Sequence, residues 1–135
     1  MPARDVVFPS GRQALYELHR YSPAVRVNGL LFVSGQVGGR EDGSPEPDFE
    51  AQVRRAFANL KAVLLAAGCS LDDLVDVTTF HTDPERQFDT VLKVKDEMFP
   101  QAPYPNWTAV GVNWLAGFDF EIKVVAKLPD LGRLE

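Results

Sequence analysis

The alternation of side chains along residues 118–126 is the strongest constraint on what this chain can fold into. Apolar residues occupy every second position, and Asp119, Glu121 and Lys123 lie between them. Because successive side chains of a strand point to opposite faces of a sheet, this pattern predicts a strand with one face in an apolar core. The carboxylate of Glu121 then stands on the other face, where it must meet solvent or a polar partner.

A second β-rich run, residues 103–112, comes just before this strand. Only Asn113–Gly117 separates the two runs, which is too short for the crossover that two neighbouring parallel strands need. The sequence therefore predicts two consecutive antiparallel strands.

The amino-terminal half predicts a hairpin and a strand exit. Asn28-Gly29, a dipeptide suited to a type I′ turn, separates the strand candidates Tyr21–Val27 and Leu30–Ser34. The glycines of residues 34–39 lack the spacing of a phosphate-binding loop, which favours a strand exit or bulge. Residues 6–12 are interpreted as an edge strand or an extended arm.

Two helices are predicted. The first has Asp48 as N-cap, apolar residues at steps of three and four, and Gly68 as its stop. Leu74–Thr82 follows as a strand, and Asp83-Pro84 opens a second helix that runs up to Pro100.

Composition limits the classes of function. With 135 residues, 45% of them hydrophobic, the chain fits a single domain over residues 1–135. It has no apolar run long enough for a membrane span and no signal core, so we expect a soluble, cytoplasmic protein. A net charge of −5 without a basic cluster argues against nucleic acid as a partner.

No metal site or disulfide is predicted. Cys69 is the single cysteine, and a buried structural thiol is its expected role. His81 and His19 lack the spacing of metal ligands, so His81 is interpreted as a hydrogen-bonded structural residue.

Several segments match one known family in pattern and order: Ser34-Gly35-Gln36, Asn59-Leu60, Ala66-Ala67-Gly68, residues 75–80 and residues 120–126. From about Tyr21 to Lys127 the chain resembles the RidA/YjgF family, formerly labelled endoribonuclease L-PSP. The resemblance implies an α+β, chorismate-mutase-like fold, in which two helices pack on one face of a mixed β-sheet. It also implies a homotrimer with a small-molecule ligand at each subunit interface. Catalytic members of the family hydrolyse imines and enamines without a metal or an organic cofactor.

The resemblance carries over to individual residues only in part. Tyr21 and Ser34 fall at substrate-binding positions, and Glu121 falls at the glutamate associated with the attacking water. Trp107, however, replaces the arginine that clamps the substrate carboxylate, and Leu92 replaces a pocket asparagine. An indole has one neutral N–H donor, so it cannot form the two parallel charged hydrogen bonds of a guanidinium.

Three functions are therefore compared. The first is hydrolysis of imines or enamines that lack a carboxylate, with Glu121 activating water; standard 2-imino acids are not expected as substrates. The second is a catalytically inactive trimer that binds a ligand or a partner protein. The third, ribonuclease activity, is disfavoured by the acidic charge. Trp107 can contact an uncharged, aromatic or cationic ligand, or it can fill interface volume.

Overall fold

The computed structural model describes residues 3–130 and shows one mixed six-stranded sheet with helices. The strands follow the order β1-β2-β3-β6-β4-β5 across the sheet. In chain order the elements are β1 (Asp5–Val7), α1 (Gln13–His19), β2 (Ala24–Val27), β3 (Leu30–Val37), α2 (Phe49–Ala66), β4 (Leu74–His81), α3 (Pro84–Met98), β5 (Asn106–Gly111) and β6 (Phe120–Lys127). The mixed sheet with helices agrees with the α+β fold implied by the resemblance.

The strand β6 lies inside the sheet, antiparallel to both β3 and β4. Its alternate residues Phe120, Ile122, Val124 and Ala126 are at most 1% exposed and face the helices. Glu121, between Phe120 and Ile122, is half-buried on the opposite face. The alternation read from the sequence is confirmed.

The sequence predicted the strand after β5 as its antiparallel neighbour, and this prediction was wrong. β5 pairs in parallel with β4, with Trp107 opposite Val77, and β4 separates it from β6. The connection through α3 is long enough for the crossover that a parallel pair requires. The loop between β5 and β6 then crosses the end of β4, so the two strands run antiparallel without being hydrogen-bonded to each other.

The turn and cap predictions are confirmed. Asn28 and Gly29 have φ angles of 50° and 80°, as a type I′ turn requires. The Asp48 side chain accepts a hydrogen bond from the Ala51 N–H at 3.0 Å, and Gly68 follows the end of α2 with φ +77°. Pro84 is the first residue of α3.

The short helix α1 was not predicted. Its N-cap, Arg12, makes no side-chain capping hydrogen bond, and its single buried residue is Tyr16. The aromatic ring of Tyr16 packs edge-on against Phe8 and Tyr21, with centroid distances of 6.4 and 4.9 Å. Aromatic packing, which leaves no helical period in the sequence, therefore holds α1 in place.

One face of the sheet carries α2 and α3, and within residues 3–130 these helices leave the opposite face uncovered. The open face presents Val27, Phe32 and Val110, which are 47%, 42% and 37% exposed. Glu121 and Lys123 lie on the same face, because they alternate with the buried residues of β6. The open face is thus partly apolar and partly charged.

Candidate functional site

Glu121 lies directly against Gly35. A β-bulge between Val33 and Gln36 contains Ser34 and Gly35. A Cβ atom built on Gly35 would lie 2.5 Å from Cδ of Glu121, so only glycine leaves room for the carboxylate there. Burial raises the pKa of Glu121, and nearby Lys123 partly opposes that shift. A carboxylate with a raised pKa is better suited to accept and return a proton than an exposed one.

Besides Lys123, Tyr21 is a titratable neighbour of Glu121. Burial, followed by Tyr16 and the charge of Glu121, raises the pKa of the Tyr21 phenol. Half of the residue is still exposed. At neutral pH Tyr21 therefore offers a protonated hydroxyl beside a carboxylate, and these two groups can orient a polar ligand.

Ser34 supports the segment that carries Tyr21. Its hydroxyl donates to the carbonyl of Ser22 at 2.7 Å, and its N–H donates to the carbonyl of Pro23 at 2.8 Å. The hydroxyl proton is thus engaged within the chain, which gives Ser34 a positioning role here.

Trp107 lies on the helix side of the sheet, because its partner in the register, Val77, is fully buried there. Its Nε1–H donates to Oγ1 of Thr79 at 3.1 Å. The ring of Phe99 packs edge-on at a centroid distance of 5.5 Å, and Nζ of Lys95 lies 4.2 Å from the centroid of the indole ring. The indole is therefore engaged by its own chain, and within one chain it does not share a cleft with Glu121.

Leu92 is also apart from Glu121. It lies on α3, next to buried Val91, and is 38% exposed. The structure thus brings Tyr21, Ser34 and Glu121 together and leaves Trp107 and Leu92 on the helix side of the sheet.

His81 and Cys69 occupy structural positions. His81 is 1% exposed, and its Nε2 lies 2.8 Å from Oγ1 of Thr79. Burial lowers the pKa of His81, while burial raises the pKa of the Cys69 thiol. Cys69 is buried and free. Both positions agree with the interpretations made from the sequence.

Residues 3–130 contain no group of three or more His, Cys, Asp or Glu side chains placed to hold a metal ion. Over the same residues, no helix has the length and apolar character needed to cross a bilayer.

A cleft of about 280 Å³, lined in part by Tyr21 and by Gly35, against which Glu121 packs, was missed by sequence reasoning. Its walls come from α1, the end of β3 and α2, and include Arg12, Tyr21, Gly35 and Asn59. Arg12 gave no signal because α1 itself was not predicted. A second cleft, of about 420 Å³, lies beside Trp107 and Tyr104.

Comparison with known proteins places these features in context. The sequence model of the endoribonuclease L-PSP family matches residues 11–128. RutC family protein YjgH of Escherichia coli is 66% identical over 130 residues, which are 96% of this chain and 99% of that protein. A solved structure of protein YJGH has a TM-score of 0.90 and 67% identity, and covers 94% of this chain and 98% of its own. A 2-iminobutanoate/2-iminopropanoate deaminase of Dermatophagoides farinae is 34% identical over 96 residues, covering 68% of this chain and 72% of that protein.

Proposed function

Because the chain belongs to the RidA/YjgF family, we propose that it is a cofactor-independent hydrolase of imines or enamines without a carboxylate on the reacting carbon. The observation that carries this proposal is the carboxylate of Glu121, packed on Gly35 beside Tyr21 with its pKa raised by burial. A relative named as an imine deaminase supports the reaction class.

The proposed reaction needs one base and one water. Glu121 takes a proton from water as the water oxygen bonds to the carbon of C=N, and the π-electron pair moves to nitrogen, which gains a proton. The resulting amino alcohol then loses its hydroxyl proton, the C–N bond breaks, and nitrogen leaves with a second proton as ammonia or an amine. The products are a carbonyl compound and the amine, and no electron is exchanged with a cofactor. Tyr21 is proposed to orient the substrate through its hydroxyl.

The proposed substrate class follows from Trp107. Its only N–H donor is bonded to Thr79, so nothing at this position can clamp a carboxylate. Losing one partner of such a buried charge pair costs about 2–5 kcal/mol. Imines of 2-amino acids would therefore be bound poorly and oriented poorly.

A coupled assay tests this proposal. An amino-acid oxidase generates imines from leucine or alanine, an amine oxidase generates a neutral imine from benzylamine, and carbonyl product is followed with and without the protein. We expect acceleration above the buffer reaction for the neutral imine only. Acceleration on the carboxylated imines that persists in Glu121→Gln but disappears in Trp107→Phe would contradict the assigned roles.

We also propose a homotrimer, with the ligand site at the subunit interface. The support is the open face of the sheet, on which Phe32 and Val110 remain partly exposed and which also carries Glu121. Native mass spectrometry is expected to give about three times the chain mass of 15.0 kDa. A monomer throughout the micromolar range would contradict this assembly. In this assembly Trp107, on the edge strand β5 of one chain, is proposed to lie near Glu121 of a neighbouring chain.

A catalytically inactive binding trimer is the alternative. It is favoured by the side chains whose donors are already engaged within the chain, Ser34 and Trp107. If no imine reacts faster than in buffer, while small ligands still perturb the fluorescence of the protein, binding without catalysis is the better description.

A further inference from the structure

We infer that the cleft lined by Arg12, Arg40 and Gly35 binds the oxyanion group, carboxylate or phosphate, of a small molecule whose other end reaches Glu121. Nothing in the resemblance assigns a role to either arginine. The inference rests on the proposed function only where it takes the bound molecule to be a substrate whose C=N group lies at Glu121. Oxyanion binding itself can be measured without catalysis.

The charge of the cleft is the first support. Its lining contains three basic residues, Arg12, His19 and Arg40, and no Asp or Glu. The chain as a whole carries a net charge of −5, with 19 acidic and 14 basic residues. A concave surface whose charged lining residues are all arginines attracts anions, even in an acidic protein.

The state of Arg12 is the second support. Its side chain is half-buried. Within residues 3–130 its guanidinium forms no side-chain hydrogen bond and no ion pair, so no carboxylate neutralises its charge. The other three half-buried arginines of the described chain are all paired: Arg26 with Asp5, Arg54 with Glu50 and Glu97, and Arg55 with Glu46. A half-buried guanidinium without a counterion is stabilised when an oxyanion accepts its two parallel N–H donors.

Arg40 adds a second fork of donors. It is exposed, and its Nε–H donates to Oγ of Ser44 at 3.1 Å, which leaves its two terminal nitrogens available. The same serine donates to Asp42 and lowers the pKa of that carboxyl, which the charge of Arg40 helps to lower, so Arg12 is the less compensated of the two arginines.

Asn59 closes the cleft from α2 by donating to the carbonyls of Val37 and Gly39 at 2.9 and 3.2 Å. The walls are therefore fixed by hydrogen bonds within the chain, and the arginines keep free donors.

Gly35 connects the cleft to the proposed catalytic residue. Its backbone lines the cleft, while its missing side chain leaves the space that Glu121 occupies. A molecule with its oxyanion at Arg12 would extend past Gly35 toward the carboxylate. The negative group would then be several bonds away from the reacting carbon, unlike in a 2-imino acid, whose carboxylate is attached directly to it.

The test is a titration of ¹⁵N-labelled protein with glutarate, inorganic phosphate and the neutral analogue glutaramide. We expect saturable shifts of the Gly35 and Gly39 amides with glutarate, phosphate or both, and none with glutaramide. Arg12→Gln should weaken anion binding by about tenfold or more, because it removes a bidentate charged pair. Arg12→Lys keeps the charge but loses the two parallel donors, so its anion affinity should lie between that of the unmodified protein and that of Arg12→Gln. The control is Arg86→Gln, which changes an exposed arginine on α3 and should bind anions as the unmodified protein does.

The outcomes separate this inference from the proposed function. Unchanged anion binding in both Arg12→Gln and the Arg12→Gln/Arg40→Gln double variant, or equal shifts with glutaramide, would overturn the oxyanion site. The same titration in Glu121→Gln should retain anion binding. If anions bind in this way and no imine is hydrolysed, the hydrolase proposal fails and the oxyanion site stands.

Discussion

Replacing Gly38 with alanine is expected to lower the free energy of unfolding by about 3 kcal/mol, the upper part of the range for overpacking. The new Cβ would lie 2.2 Å from the backbone oxygen of Gln52 and 2.6 Å from its Cγ. A backbone atom of a helix cannot rotate away, so α2 would have to shift from the end of β3.

The shift would also disturb the start of β6. The side chain of Gln52 is 2% exposed, and its Oε1 accepts hydrogen bonds from the N–H groups of Asp119 and Phe120 at 2.7 and 3.2 Å. Urea unfolding of Gly38→Ala measures the loss. The matched control is Gly39→Ala, whose Cβ would meet nothing closer than 3.6 Å. Equal stability of the two variants would show that α2 does not contact β3 as described.

The Glu121→Gln variant is expected to lose about 10²- to 10⁴-fold of imine hydrolysis, the usual contribution of a positioned general base. The amide has nearly the same shape as the carboxylate, so the site should keep its geometry and lose only its proton acceptor. Glu85→Gln, at an exposed position near the start of α3, is the control that removes one carboxylate elsewhere.

Stability measurements separate this loss from unfolding. Because the pKa of Glu121 is raised by burial, the folded state binds its proton more tightly than the unfolded state does. The associated stability is present at low pH and is lost as pH rises from the ordinary value of 4.5 through the raised pKa. Glu121→Gln should therefore be at least as stable as the unmodified protein at pH 7. Unchanged hydrolysis in this variant would remove Glu121 from the reaction.

The sequence predicted those parts of the fold that local chemistry determines. Asn28-Gly29, the N-cap Asp48 and the alternation around Glu121 each act within a few residues, and each is found as predicted. The neighbour of β5 was predicted wrongly, because which strands pair depends on packing between distant segments. A short loop allows a hairpin, but it also allows a connection across one intervening strand.

The candidate site was predicted in the same uneven way. Tyr21, Ser34 and Glu121 come together because each lies on or beside a strand whose register follows from its pattern. The surroundings of Trp107 depend on Lys95 of α3 and on Phe99, the residue after that helix. The sequence of β5 does not indicate these contacts. Arg12 was missed because α1 has seven residues and is held by the packing of Tyr16.

The central place of β6 has a consequence for synthesis on the ribosome. The segments β1 to β3 and β4 to β5 are each made earlier, yet within the described sheet they meet only through β6, which pairs with β3 on one side and β4 on the other. Until β6 emerges, β3 and β4 each lack the strand that pairs with them along one edge, and their apolar side chains lack those of β6. Such edges are prone to pair with other chains, so the interval before β6 is released is when this protein most needs protection by chaperones.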